Sequence, residues 1–259
     1  MSHSAPATPA AGDDRPLGAM AEKAKQDALI ALAMGIAHDF NNHLTAILGN
    51  NSIVLRHLPA QSPVRKNAAQ IEASALQALE LAAQLQLFTG RVRPALAALD
   101  LSASLREMEA ELRAMMIKDV ALELRLDAHL PLVKADLQQV RCVVTNLLQN
   151  ASDAMADRQG TVVLATGAMD VDKKVIEQCR GEERMKEGRH AFILVADSGR
   201  GMTPEVQSRI FDPFYSARIR GKGLGLAVVL GIVRGHGGGI RVESEPNKGS
   251  TFRILLPAI

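Results

Sequence analysis

Two long helical patterns separated by only five residues, Pro59-Ala60-Gln61-Ser62-Pro63, limit how this chain can fold more than any other feature. Upstream of the turn, Ile36, Phe40, Leu44, Ile47, Asn51, Val54 and Leu58 recur in steps of three and four. That spacing describes one buried helical stripe, of which Asn51 is the only polar member. Downstream, Ile71, Ala75, Ala78, Ala82 and Leu85 form a second stripe. The spacing predicts a helix from about Ala19 to Leu58, some 60 Å long, and another from Val64 to about Phe88. So short a connection folds them into an antiparallel hairpin. One hairpin cannot bury a stripe on each helix, so pairing with a second copy into a four-helix bundle is expected. The alternative is a hairpin docked on its own carboxy-terminal half.

The first helix contains Gly35-Ile36-Ala37-His38-Asp39-Phe40-Asn41-Asn42-His43-Leu44. His38 follows Ile36 by two residues, about 200° round the helix, and therefore faces solvent. Asn42 lies one turn further on the same face, and Asp39 is adjacent. With an ordinary pKa near 6.5, roughly three-quarters of such an imidazole is neutral at pH 7, with a lone pair free to act as a nucleophile. Taken alone, these residues fit a surface histidine on an amphipathic helix better; what decides between the two readings lies further downstream.

Composition excludes several classes of function. Of 259 residues, 47% are hydrophobic, with no Trp, one Tyr and six Phe, so the core is expected to be aliphatic. Thirty basic residues against 28 acidic ones leave a formal charge of +2. No element gathers the basic excess of a nucleic-acid binder. Cys142 and Cys179 lack the spacing of a zinc site or redox pair. Cys142, in the run Val140–Val144, reads as a core thiol in a reducing compartment. The longest apolar run, Ala28 to Ala37, is about half a membrane span, and the amino terminus lacks an apolar secretion segment. No membrane insertion and a cytoplasmic location are expected.

The fold class read from these patterns is α+β. Residues 1–18, rich in Ala, Pro, Ser and Asp, are expected to be a disordered tail. The hairpin occupies 19–90, a linker containing Pro94 spans 91–99, and a second domain runs from 100 to 259. There, Leu101–Met116 is helical, and Val120, Leu122, Leu124 and Leu126 alternate as in a half-buried strand. Asp136 and Gln139 resemble a capping box that opens a helix to about Met155. Strands are expected at Thr161–Thr166 and Ala191–Ala196, with Met169–His190 between them as a charged, solvated excursion. A final hairpin pairs Ile240–Ser244 with Thr251–Leu256. The result is an α/β sandwich with helices on one face of a mixed sheet.

Four islands in this half carry chemistry. In Asn146-Leu147-Leu148-Gln149-Asn150-Ala151, Asn146 and Asn150 leave one helix face. Their neutral oxygens suit a magnesium ion that already carries triphosphate charge. Asp197-Ser198-Gly199-Arg200-Gly201-Met202 follows a buried strand, where a carboxylate can accept a hydrogen bond from an exocyclic amine such as that of adenine. The third island is Phe211-Asp212-Pro213-Phe214-Tyr215-Ser216-Ala217-Arg218. The fourth, Gly221-Lys222-Gly223-Leu224-Gly225-Leu226, runs into an apolar helix and would expose backbone N–H groups to phosphate. It is neither a Walker loop nor a dinucleotide fingerprint.

In this order, behind a helical hairpin bearing an exposed histidine, the islands resemble the sensor histidine kinases of two-component systems, from about Ala21 to Pro257. Gly35–Leu44 looks like their phosphoacceptor box and Asn146–Met155 like their asparagine box. Asp197–Met202 and Gly221–Leu226 look like their two glycine boxes, and Phe211–Arg218 like their phenylalanine box. The resemblance implies an ATP-binding domain of the histidine kinase and Hsp90 type. It implies that His38 takes the γ-phosphoryl group of ATP, that Asp39 orients and deprotonates it, and that Asn42 positions a water for dephosphorylating a partner. Asn150, with Asn146, would hold Mg2+, and Asp197 would read adenine. Gly199, Gly201, Met202, Phe211, Phe214 and Leu224 would complete the nucleotide site. Gly221, Gly223 and Gly225 would form the lid hinge, with Arg218 and Lys222 near the phosphates. An amide at Asn146, where related ATPases carry a glutamate, favours transfer over hydrolysis.

The sequence departs from the family pattern at three places. His43 stands where a helix-bending proline is common. Asp153 replaces a lysine found near the phosphates, and Tyr215-Ser216-Ala217-Arg218 keeps the positive charge but not both hydroxyls of the commoner form. The implied protein is a homodimeric kinase that passes phosphate from His38 to an aspartate of a response-regulator receiver domain. Its rivals are a histidine phosphotransfer protein with a degenerate ATP domain, and an ATPase of the same superfamily in which the hairpin only dimerises.

Overall fold

A computed structural model describes residues 15–88, 94–155, 159–216 and 223–259, without the side chains of 15–34, 38, 77, 80, 81, 84, 85, 87 and 88. Helix α1 spans Arg15–His57 and helix α2 spans Arg65–Phe88. The expected tail therefore lies outside the described residues up to 14, and from Arg15 the chain is already helical. The turn closes through Ser62 N–H to the Pro59 carbonyl (3.0 Å) and Arg65 N–H to that of Ser62 (3.1 Å). Arg65 also donates from its guanidinium to the carbonyls of Leu55 and Leu58, which satisfies two acceptors at the end of α1.

The stripe on α1 divides in two. Ala37, Leu44 and Asn51, spaced by seven, are buried, as are Ala68, Ala75 and Ala82 with the same spacing on α2. This is the seam of a two-helix pack, and the small alanines allow close approach. Asn51 donates to the Ala68 carbonyl at 2.8 Å across it. Ile36, Phe40, Ile47, Val54 and Ile71 are instead 42–55% exposed. The expected single buried stripe is thus two neighbouring ones, of which one chain covers only the first. Leu85 lies outside the described side chains.

The second half contains β1 (Ala97–Leu99), α3 (Leu101–Glu107), α4 (Glu109–Ala114), β2 (Val120–Arg125), β3 (Val133–Ala135), α5 (Leu137–Ala154), β4 (Gly160–Val171), α6 (Lys173–Glu177), β5 (Gly188–Asp197), α7 (Pro204–Arg209), α8 (Gly225–Gly235), β6 (Gly239–Glu245) and β7 (Gly249–Pro257). Five strands form a mixed sheet in the order β2-β4-β5-β7-β6, with β2 parallel to β4 and the other pairs antiparallel. Register sets Leu164 opposite Val195, Val195 opposite Phe252, and Ile193 and Ile240 opposite Ile254. All are buried in one core with Val143, Val144, Leu147 and Leu148 of α5 and Val228, Val229 and Ile232 of α8. Each such side chain contributes about 1.5–3 kcal/mol by leaving water. Helix α8 is buried from Ala227 to Val233 without interruption because α2, α5 and the sheet all pack against it.

Four expectations are corrected. The helix expected over Leu101–Met116 breaks at Met108, which ends α3 and begins α4. The last residues of the expected linker are strand β1, paired with β3. Met169–His190 is not a solvated excursion: β4 continues to Val171, β5 begins at Gly188, and Val171, Cys179, Met185 and Leu255 form a second small core. Its charges point outward while its few apolar residues, irregularly spaced, turn in. Burial there raises the pKa of the Cys179 thiol. The capping box is one-sided. Asp136 accepts from the backbone N–H groups of Gln138 and Gln139, but its own N–H donates to His236 rather than to a side chain at Gln139.

Candidate nucleotide and phosphoacceptor site

On α1, Ala37 is fully buried in the seam, while Asp39 and Asn42 are exposed. His38 lies within the helix between Ala37 and Asp39; its side chain is outside the described set.

The sequence islands of the second half meet at one edge of the sandwich. Asn146 donates from Nδ2 to the Cys142 carbonyl (2.8 Å) and to Cys142 Sγ (3.4 Å). Its Oδ1 is thereby turned the other way, toward the first residue of α8. A Cβ built on Gly225 would lie 2.6 Å from that oxygen, so the asparagine and second glycine boxes touch. Asn150, one turn on, is half-buried on the same face of α5. Among the described residues, no side chain caps the start of α8. Its first N–H groups and the positive end of its dipole are the elements of an anion site.

Asp197 ends β5, and its Oδ1 accepts from Gly199 N–H at 2.9 Å, which fixes the carboxylate against its own loop. Gly199 sits on the end of α5: a Cβ there would lie 2.6 Å from the Ala154 carbonyl oxygen. Arg200 N–H donates to that carbonyl at 3.3 Å, and the Arg200 carbonyl accepts from Asn247 N–H at 2.7 Å. Gly201, with φ +61°, passes so close to the Glu245 carbonyl that any side chain would collide with it. The first glycine box is therefore held between α5 and the β6–β7 turn. Met202 packs against the main core.

Phe211 also packs on that core, whereas Phe214 is 61% exposed. Phe214 N–H donates to the Gly223 carbonyl at 2.9 Å, and both residues have positive φ, +64° and +66°. A Cβ on Gly223 would stand 2.5 Å from the Phe214 carbonyl carbon. The two ends of the connecting segment are therefore joined to each other. Arg218, Gly221 and Lys222 fall outside the described residues. Leu224 is buried immediately before α8.

The donors suit magnesium in the company of a triphosphate. Asn146 presents a neutral amide oxygen, with Asn150 beside it, and no group of three His, Cys, Asp or Glu suited to a metal occurs among the described residues. Two contributors were not identified from sequence. Cys142, four residues before Asn146, orients its amide, and the β6–β7 turn braces the first glycine box. The spacing of Cys142 was available in the sequence; the role of the turn depends on a contact between residues far apart in the chain.

Residues 135–259 match the family model of histidine kinase-, DNA gyrase B- and HSP90-like ATPases. Over 244 residues the chain is 36% identical to the sensor kinase CckA of Brucella abortus (strain 2308), covering 93% of this chain and 25% of that protein. It is 34% identical to the sensor histidine kinase ZraS of Klebsiella oxytoca over 92% of this chain and 48% of that protein. The chain thus spans a quarter to a half of the length of these relatives. A crystal structure of full-length ShkA in complex with AMPPNP has the same fold, with a TM-score of 0.66 and 23% identity over 88% of this chain and 46% of that one. Among the described residues no helix is long and apolar enough to cross a membrane. Over nearly its whole length the chain is thus similar to sensor histidine kinases, and its residues 135–259 match the histidine kinase-, DNA gyrase B- and HSP90-like ATPase model.

Proposed function

We propose that the chain is an ATP-dependent protein histidine kinase that phosphorylates itself on His38 and passes the phosphoryl group to an aspartate of a response-regulator receiver domain. The observation that carries this reading is the meeting of Asn146 with Gly225, which puts the amide oxygen of α5 at the uncapped start of α8. Asp197, at the end of β5, is held by the neighbouring loop for recognition of adenine. Asn150 and Asn146 would hold Mg2+, which spreads the charge of the phosphates. Gly199, Gly201 and Met202 shape the base pocket, and Phe211, Phe214, Gly221, Gly223, Leu224 and Gly225 the lid. Arg218 and Lys222 supply positive charge to it. Asp39 takes the proton from His38 as its nitrogen attacks. Positioning supplies most of the rate enhancement, since phosphoryl transfer needs little covalent help from the protein.

The hairpin, to about residue 90, serves as the dimerisation and phosphoacceptor unit. Residues 91–96 connect it to the ATP domain, which begins with β1. The apolar stripe left exposed by one chain, Ile36, Phe40, Ile47, Val54 and Ile71, supports a homodimer. Asn42, exposed one turn beyond His38, suits the holding of a water for attack on a phosphoaspartate, so phosphatase activity toward the regulator accompanies the kinase. Incubation with γ-labelled ATP tests the reading. Label is expected on the chain and is expected to move to a receiver domain of the host; a chain that binds ATP but takes no label contradicts it.

A further inference from the structure

Asp136 makes hydrogen bonds to three separate segments. Its Oδ1 accepts from Gln138 and Gln139 N–H (2.9 and 3.2 Å) and so caps α5, the helix of Asn146 and Asn150. Its Oδ2 accepts from Ala95 N–H at 2.8 Å, on the segment that arrives from the hairpin. Its own N–H donates at 3.1 Å to Nε2 of His236, the residue that ends α8. Because Nε2 accepts there, the ring proton is on Nδ1, which donates to the Ile232 carbonyl at 2.8 Å. His236 is buried, and both its nitrogens are used.

Helices α5 and α8 are therefore joined at two levels. Asp136 meets His236 at one end, and Asn146 meets Gly225 at the other. The intervals, 136 to 146 and 225 to 236, correspond to about 15 and 16 Å of helix. The pair is thus fastened at both ends, with nucleotide motifs at one and the arriving segment at the other. Strand β1, two residues after Ala95, adds a pairing with β3, which ends next to Asp136.

We propose that Asp136 and His236 are positioning residues for phosphoryl transfer: Asp136 holds the segment arriving from the hairpin through Ala95 and caps α5, its bond to His236 extends that tie to α8, and together they set how the bound ATP is presented to His38. The inference rests on the kinase reading above. Neither residue touches the nucleotide motifs, so loss of the bond acts on presentation of ATP rather than on its binding.

Two substitutions separate the two bonds of the imidazole in the full chain. The amide of asparagine reaches only as far as Nδ1 and keeps a bond to Ile232, whereas that of glutamine reaches the position of Nε2 and can accept from Asp136. His236→Asn is expected to lower the rate of labelling from γ-labelled ATP about tenfold, because small misplacements cost much in such a reaction. Its KM for ATP, and its affinity for a non-hydrolysable analogue, are expected to stay within about twofold. His236→Gln is expected to recover most of the rate. Wild-type labelling by His236→Asn, or loss of analogue affinity in step with rate and no recovery by His236→Gln, overturns the proposal. No labelling of the unsubstituted chain overturns the kinase reading itself, and this inference with it.

Discussion

The hairpin and the ATP domain bury their apolar residues in different ways. In the ATP domain, Leu101, Leu105, Leu112, Leu148 and Leu164 are all fully buried within a single chain. Among the described residues of the hairpin, several large apolar side chains are left out, Phe40 at 55% exposed and Ile47 at 44%, while the seam is closed by Leu44 and by alanines. One region closes its core within the chain, with α2 packed on α8, while the other leaves an apolar face exposed. The difference separates the work of the two regions. A closed core holds the nucleotide motifs in fixed register, while the open helical face would, on the reading proposed above, seat a second copy and present His38.

Charging the open face has the largest expected effect. Ile47→Glu is expected to weaken self-association by a thousandfold or more, about 4 kcal/mol, because a paired bundle would have to bury an unpaired carboxylate. Sedimentation or light scattering would report it, and the affinity for an ATP analogue is expected not to change. A wild-type chain that already sediments as a monomer would remove the basis of the comparison. Leu148→Ala should do the reverse: it opens a cavity in the closed core at a cost of about 2–5 kcal/mol, seen in chemical denaturation, with the oligomeric state unchanged.

Next in size is Asp197→Asn. Loss of a hydrogen bond to a charged group costs on the order of 1–3 kcal/mol, so calorimetry is expected to show a matching fall in ATP affinity without loss of the dimer. Unchanged affinity would place the adenine elsewhere. On the hairpin, Asn42→Ala is expected to keep at least part of the labelling from ATP while losing most dephosphorylation of the regulator. Equal loss of both activities would contradict the division of roles between His38 and Asn42. The smallest contrast concerns the thiols. Burial raises the pKa of Cys179, whereas Cys142 is only partly covered. With its thiol pushed up and its access limited by burial, Cys179 is expected to react with an alkylating reagent well after the partly exposed Cys142 at mildly alkaline pH, as mass spectrometry would report.

Much of this division could be read in the sequence. The steps of three and four around Leu44 and the prolines at 59 and 63 define the hairpin, and the alternation from Val120 to Leu126 gives a strand. Sequence periodicity does not tell which partner covers a stripe, so the intramolecular seam Ala37–Leu44–Asn51 could not be separated from the face carrying Phe40 and Ile47. Strand β1 was missed because Ala97-Ala98-Leu99 has no alternation and exists only through its pairing with β3. The core of Val171, Cys179 and Met185 was hidden among charges at no regular spacing. In the candidate site, the motif residues were named from sequence. The contacts that orient them, Cys142 on Asn146 and His236 on Asp136, were not; the latter joins residues a hundred positions apart.

Delivery of a phosphoryl group by the closed ATP domain to His38 on the open hairpin, as proposed above, is read by locating the phosphate after incubation of the intact chain with ATP and magnesium. The expected result is a single acid-labile, base-stable phosphoryl group on His38, absent from His38→Gln although that variant still binds ATP. An acid-stable phosphate, or labelling that persists in His38→Gln at the wild-type level, would contradict it.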